Sequence, residues 1–112
     1  MTQLEGQVAV VTGASRGVGQ VIADALEARG LVVARVARSA TLFTADVADP
    51  AAVDRLKTEI EAQLGPPTVV VNAAGIFGPI ALIKDSDPQD WIETLMIDTV
   101  GPYLVARAFI DG

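Results

Sequence analysis

The chain has 112 residues, 51% of them hydrophobic, and 14 acidic against 8 basic side chains give a formal net charge of −6. This fits one domain, residues 1–112, with apolar side chains enough for a core. No Lys/Arg cluster exists to meet nucleic-acid phosphate, and the absence of cysteine and histidine removes disulfides, thiolate metal sites and the commonest general base. "QVAVVT" (7–12) is an apolar run that predicts a buried strand. After a glycine loop, Val18, Val21, Ile22, Ala25 and Leu26 recur at helical spacing, and Gly30 marks a stop. "LVVARVA" (31–37) and the shorter "LFTA" (42–45) predict two further strands. Asp49-Pro50 predicts a helix N-terminus, continued by Val53, Leu56, Ile60 and Leu64 and ended at Gly65-Pro66-Pro67. "TVVVN" (68–72) reads as a fourth strand buried on both faces, and "AAGIFGPI" (73–80) as a glycine-punctuated loop.

Asp87-Pro88 opens another helix, with Trp91, Ile92, Leu95 and Met96 on one stripe. Gly101-Pro102 is expected to break or kink the chain before a last helical stretch, Tyr103 to Ile110. Strands alternating with helices predict an α/β fold with a parallel sheet. No apolar run reaches the ~18 residues of a membrane span, and "MTQLEGQ" lacks a signal-peptide pattern, so a cytoplasmic globular protein is the expectation.

"VVTGASRGVG" (10–19) carries the chemistry. A strand, a glycine turn and a helix start make an anion site, because unpaired backbone N–H groups point outward and the helix dipole favours negative charge. The spacing is G-x3-G-x-G, and no lysine follows Gly19, which excludes a nucleoside-triphosphate loop. The competing reading is an ordinary glycine-rich strand-to-helix turn. "TGASRGVG" (12–19), "ADV" (45–47), "NAAG" (72–75) and "DWIETLMIDTVGPYLVARA" (90–108) occur in an order that resembles the short-chain dehydrogenase/reductase family, over essentially the whole chain.

The resemblance implies a Rossmann-like parallel sheet of order 3-2-1-4 flanked by helices, the first half of the family's fold. It implies that Gly13, Gly17 and Gly19 border a dinucleotide pyrophosphate, with Ser15, Arg16 and Val18 of the same loop also binding the cofactor. Asp46 would accept a hydrogen bond from the adenine, and Val47 would line the adenine pocket. Asn72 would be mainly structural and Gly75 near the ribose and nicotinamide, with Asn72 and Ala73 counted among the cofactor-binding residues. Without the resemblance, Asp46 reads as a solvated turn residue before Asp49-Pro50. Where NAD-dependent members carry an acidic residue after the second strand, this chain has Ala37 and then Arg38. That pairing, with Arg16, favours NADP(H) over NAD(H), although either arginine reads also as a solvated surface charge.

The family's reaction is hydride transfer to or from a small carbonyl or alcohol substrate, using a Ser and a Tyr with a Lys four residues later. The single tyrosine, Tyr103, is followed at that spacing by Arg107, and the lysines, Lys57 and Lys84, have no such partner. Tyr103 is therefore expected to pack in the core. One catalytic position of the family is covered, where Asp98 replaces an Asn that supports a proton-relay water; it also reads as a helix-face carboxylate. The link "RSAT" (38–41) is too short for the family's crossover helix, so the third strand must be short or irregularly paired. These readings leave a cofactor-binding portion of an oxidoreductase, inactive alone, or a non-catalytic binding module, or one half of a split enzyme. Self-association or a complementing chain is expected, since "TVVVN" would expose an unpaired edge.

Overall fold

β1 (Val8–Thr12) is buried at all five positions and lies at the middle of the sheet. The computed structural model describes residues 3–76, 78 and 81–110; of the loop at 73–80, residues 77, 79 and 80 lie outside this set. Around β1 the chain forms α1 (Gly17–Ala28), β2 (Val32–Ala37), β3 (Phe43–Thr44), α2 (Pro50–Leu64) and β4 (Val69–Val71). A single 3-10 turn, Ile83–Asp85, precedes α3 (Pro88–Leu95), a π-helical turn (Met96–Val100) and α4 (Gly101–Phe109). The sheet order is β3-β2-β1-β4 and every pairing is parallel.

The continuous apolar run of β1 is explained by burial on both faces. Val8 and Val10 pack with Ala34 and Val36 of β2, with Val53, Leu56 and Ile60 of α2, and with Val105 and Phe109 of α4. Val11 faces the other way, toward Ala23, Ile22 and Leu26 of α1. The helix ends follow local chemistry. Asp49 and Asp87 accept hydrogen bonds from Ala51 N and Gln89 N, each followed by proline in the first turn. On the α1 side of β2, Arg35 bridges Asp24 at 2.5 Å and Glu27 at 3.1 Å, tying strand to helix. Hydrogen bonding to Glu27, then to Asp24, holds its guanidinium pKa above the ordinary arginine value.

Four expectations are corrected. The three valines of β4 are half-buried, because β4 pairs only with β1 among the described residues. Of the stripe read on α1, Val18, Val21 and Ala25 are exposed; the helix turns Gly19, Ile22, Ala23 and Leu26 inward instead. Gly101-Pro102 neither breaks nor ends the helix. Dihedrals stay helical from Met96 to Gly101, and the wider π turn absorbs a proline that has no N–H to contribute. Tyr103 is 62% exposed, because α4 presents Gly101, Val105, Ala108 and Phe109 to the core and Tyr103 lies off that face. The stripe of Trp91, Ile92, Leu95 and Met96 on and after α3 is exposed as well.

The short link between β2 and β3 closes as its length requires. β3 pairs only with the last two residues of β2, Val36 with Phe43 and Ala37 with Thr44, so the chain needs to return over very little distance. Ala40 takes a positive φ of 65° within that turn. No helix among the described residues is long and apolar enough to cross a membrane.

Candidate functional site

Where β1 ends, the chain can leave toward β2 on one side or β4 on the other, and this divergence opens a crevice at the C-terminal edge of the sheet. Thr12 closes β1 and is 1% exposed. Its Oγ1 accepts from Ala73 N and Ala74 N, both at 3.2 Å, and donates to Val71 O at 3.5 Å. One hydroxyl thus fixes the segment after β4 against the start of the glycine loop. Sequence reading missed Thr12, although a hydroxyl ending a valine run was the available signal.

The three glycines of the loop have different physical causes. A Cβ on Gly13 would lie 2.7 Å from Ala74 Cα, and one on Gly19 would lie 2.1 Å from Gly13 O. At both positions it is the protein's own backbone that comes close, packing loop against loop and α1 against β1. Gly17 has open space around it, and its φ of +61° is what requires glycine. It opens α1 from an extended Arg16, and no side chain caps that helix N-terminus. The first-turn N–H groups of α1 therefore have no side-chain acceptor, unlike those of α2 and α3.

These elements enclose a cleft of about 650 Å³. Gly13, Ser15, Arg16, Gly17, Val18 and Gly19 form one wall, Arg38, Asp46 and Val47 another, and Ala73 and Gly75 a third. Ala37, which the sequence sets beside Arg38, lines the cleft too, and Val36, Ala45, Ala74, Ile76 and Ile97 complete the lining, apolar positions that sequence reading did not single out. Their signal was weak, since each also satisfies an ordinary core or strand-end pattern. Asp46 Oδ1 accepts from Ala48 N at 2.9 Å, which fixes the turn into α2. Val47 is buried against α4; a Cβ on Gly101 would lie 2.7 Å from its Cγ2. Arg16 and Arg38 are exposed at the rim, and neither forms an ion pair among the described residues.

Asn72 and Asp98 lie outside this lining. Asn72 Nδ2 donates to Pro102 O at 3.5 Å, linking the end of β4 to α4. Asp98, in the π turn, accepts from Ile76 N at 2.8 Å through Oδ1, and the same oxygen would stand 3.2 Å from a Cβ on Gly75. It therefore braces the cleft wall from behind. Tyr103, Arg107, Lys57 and Lys84 do not line the cleft.

The cleft can hold an elongated anion. Unpaired N–H groups and an α1 dipole face its middle, two guanidinium groups stand at one end, and apolar walls flank the remainder. Comparison with known proteins agrees with this architecture. The short chain dehydrogenase family model matches residues 7–112. The chain is 37% identical to short chain dehydrogenase tazN of Aspergillus terreus, over 98% of this chain and 28% of that protein. It is 31% identical to 2,3-dihydro-2,3-dihydroxybenzoate dehydrogenase of Bacillus subtilis, over 94% of this chain and 46% of that protein. Among solved structures, a metagenomic short-chain oxidoreductase in complex with NADP superposes with a TM-score of 0.88 at 31% identity, over 98% of this chain and 57% of that one. The chain spans less than half the length of the two curated relatives. Matched over nearly all of its own length, and folded with the same sheet order that its motifs predict, the chain belongs to the short-chain dehydrogenase family.

Proposed function

We propose that this chain is the NADP(H)-binding portion of a short-chain oxidoreductase, and that it prefers NADP(H) to NAD(H). The observation that carries the preference is the end of β2. Ala37 and Arg38 stand where a carboxylate would be needed to accept from both ribose hydroxyls, and Arg16 adds a second cation at the same end of the cleft. A 2′-phosphate is doubly suited to that end and would be repelled by an acidic residue there. The residues fit the group in other respects. The uncapped N-terminus of α1 suits the pyrophosphate, Asp46 and Val47 suit the adenine, and Ala73, Gly75 and Ile76 wall the opposite end. The metagenomic relative bound to NADP supports the reading by likeness.

When bound, the nicotinamide supplies or accepts the hydride exchanged with a carbonyl or alcohol carbon. This chain's residues bind and orient it. They carry no Tyr-x3-Lys pair, and Tyr103 with Arg107 lies on α4 away from the cleft, so the general acid–base of this reading is not among them. Asp98 stands at the family's Asn position, and its backbone carbonyl is the atom suited to hold a relay water.

Fluorescence titration with NADPH and NADH tests this. A charge-assisted hydrogen bond is worth roughly 1.5–3 kcal/mol, so Arg38→Ala should weaken NADPH about ten- to a hundredfold and leave NADH nearly unchanged. Equal affinity of the parent chain for both cofactors, or an unchanged NADPH affinity in Arg38→Ala, would refute the preference. Absence of binding to either would favour a module that recognises another ligand.

A further inference from the structure

The cleft is electrically lopsided. Its two lining cations, Arg16 and Arg38, stand on the α1 and β2 side, which also carries the Asp46 carboxylate. The far wall, Gly75, Ile76 and Ile97, carries no charge of its own, but a carboxylate stands directly behind it. Asp98 Oδ1 is held at 2.8 Å by Ile76 N and lies close enough to Gly75 that a Cβ there would approach to 3.2 Å. The π turn places Asp98 here, and Gly75, lacking a side chain, lets the carboxylate come close to the backbone of the wall.

On the reading above, a dinucleotide with its 2′-phosphate at Arg38 and its pyrophosphate at α1 directs its nicotinamide toward the Gly75–Ile76 wall. That ring exists in two forms of nearly the same shape. The oxidised ring carries a positive charge and the reduced ring is neutral, so a fixed nearby charge acts on only one of them. We infer that Asp98 makes this site discriminate between the redox forms, holding the oxidised cofactor more tightly than a neutral residue at that position would. This inference rests on the cofactor reading and concerns Asp98 as a charge, not as a group that touches the reacting atoms.

Asp98→Asn separates charge from scaffold, because the amide oxygen still accepts from Ile76 N. An exposed carboxylate behind the cleft wall is strongly screened, which limits the effect to roughly three- to sevenfold in affinity. The experiment is titration of parent and variant with NADP⁺ and with NADPH separately, at low ionic strength, with a urea melt to confirm folding. NADP⁺ should weaken about three- to sevenfold in Asp98→Asn while NADPH stays within about twofold. Asp98→Ser, which also offers a neutral acceptor, should shift the ratio in the same direction and serves if the asparagine variant folds poorly. A ratio of NADP⁺ to NADPH affinity unchanged in both neutral variants overturns the inference while leaving the cofactor reading intact. A parent chain that binds neither form overturns the cofactor reading itself, and this one with it.

Discussion

Replacing Thr12 by valine keeps the side-chain shape and deletes one buried hydroxyl, which isolates the link between β1 and the far wall of the cleft. In the parent, that oxygen accepts from Ala73 N and Ala74 N at 3.2 Å each. Valine leaves both N–H groups facing a methyl group, and stranding a buried donor costs about 1–3 kcal/mol. Both amides are partly buried, so the lower part of the range applies to each and the sum is about 2–4 kcal/mol. For a domain of this size that lowers Tm by roughly 10–20 °C. Thr12→Ser is the control, since it keeps the hydroxyl and loses one buried methyl, worth about 1 kcal/mol. Urea melts followed by circular dichroism measure both variants. A valine variant as stable as the serine variant would refute the claim that this hydroxyl joins the two halves of the cleft. Because 73–76 forms one wall, the valine variant should also bind NADPH more weakly than its stability loss alone explains.

Gly19→Ala places a methyl carbon against the Gly13 carbonyl and should destabilise by about 3 kcal/mol or more, whereas Gly17→Ala meets open space and costs only the left-handed backbone penalty of roughly 1–2 kcal/mol; paired melts give the order, and equal losses would contradict it. Arg35→Met should cost about 1 kcal/mol, read as a Tm decrease that shrinks with added salt. Because pairing raises the Arg35 pKa, its contribution is complete below the ordinary arginine value and is lost only as pH rises through the higher folded value. The Tm loss in Arg35→Met should therefore be the same at neutral pH and at about pH 9. The chain alone should show no turnover of NADPH with a reactive dicarbonyl, and consumption abolished by Tyr103→Phe would refute that.

Strand positions, helix starts and the cleft's charged rim were legible in the sequence because each is written in local chemistry, whereas the strand order came only with the family resemblance. Valine runs mark the strands, Asp-Pro pairs mark two helix starts, and Arg38 follows β2 directly. What escaped depends on which side of an element faces the rest of the chain. Val18 and Val21 fit helical spacing as well as Ile22 and Leu26 do, yet the close seat of Gly19 on Gly13 turns α1 so that the first pair points outward. Tyr103, without a Lys four residues on, is expected in the core, but the α4 face is set by Gly101 against Val47, and the π turn before it changes the phase that periodicity would predict. Thr12 was passed over for the opposite reason. Its value lies in two backbone amides sixty-one and sixty-two positions away, and no local pattern reports that.

The glycine loop shows why a motif establishes fold before it establishes chemistry. Gly13 and Gly19 are required by the molecule's own backbone, and a chain that bound nothing would need them to seat α1 on β1 and against the segment after β4. Only Gly17, with open space on its free side and an uncapped helix behind it, has a geometry that the fold does not consume. The same division runs through the polar residues. Thr12, Asn72 and the Oδ1 atoms of Asp46 and Asp98 spend their hydrogen bonds on the scaffold. Arg16 and Arg38 have no ion-pair partner among the described residues, although Arg35, three positions before Arg38, is fully engaged. An exposed cation without a local partner contributes nothing measurable to stability. On the proposed reading, cofactor specificity rests on Arg16 and Arg38, and substitutions at these two should move cofactor affinity while leaving the melt unchanged.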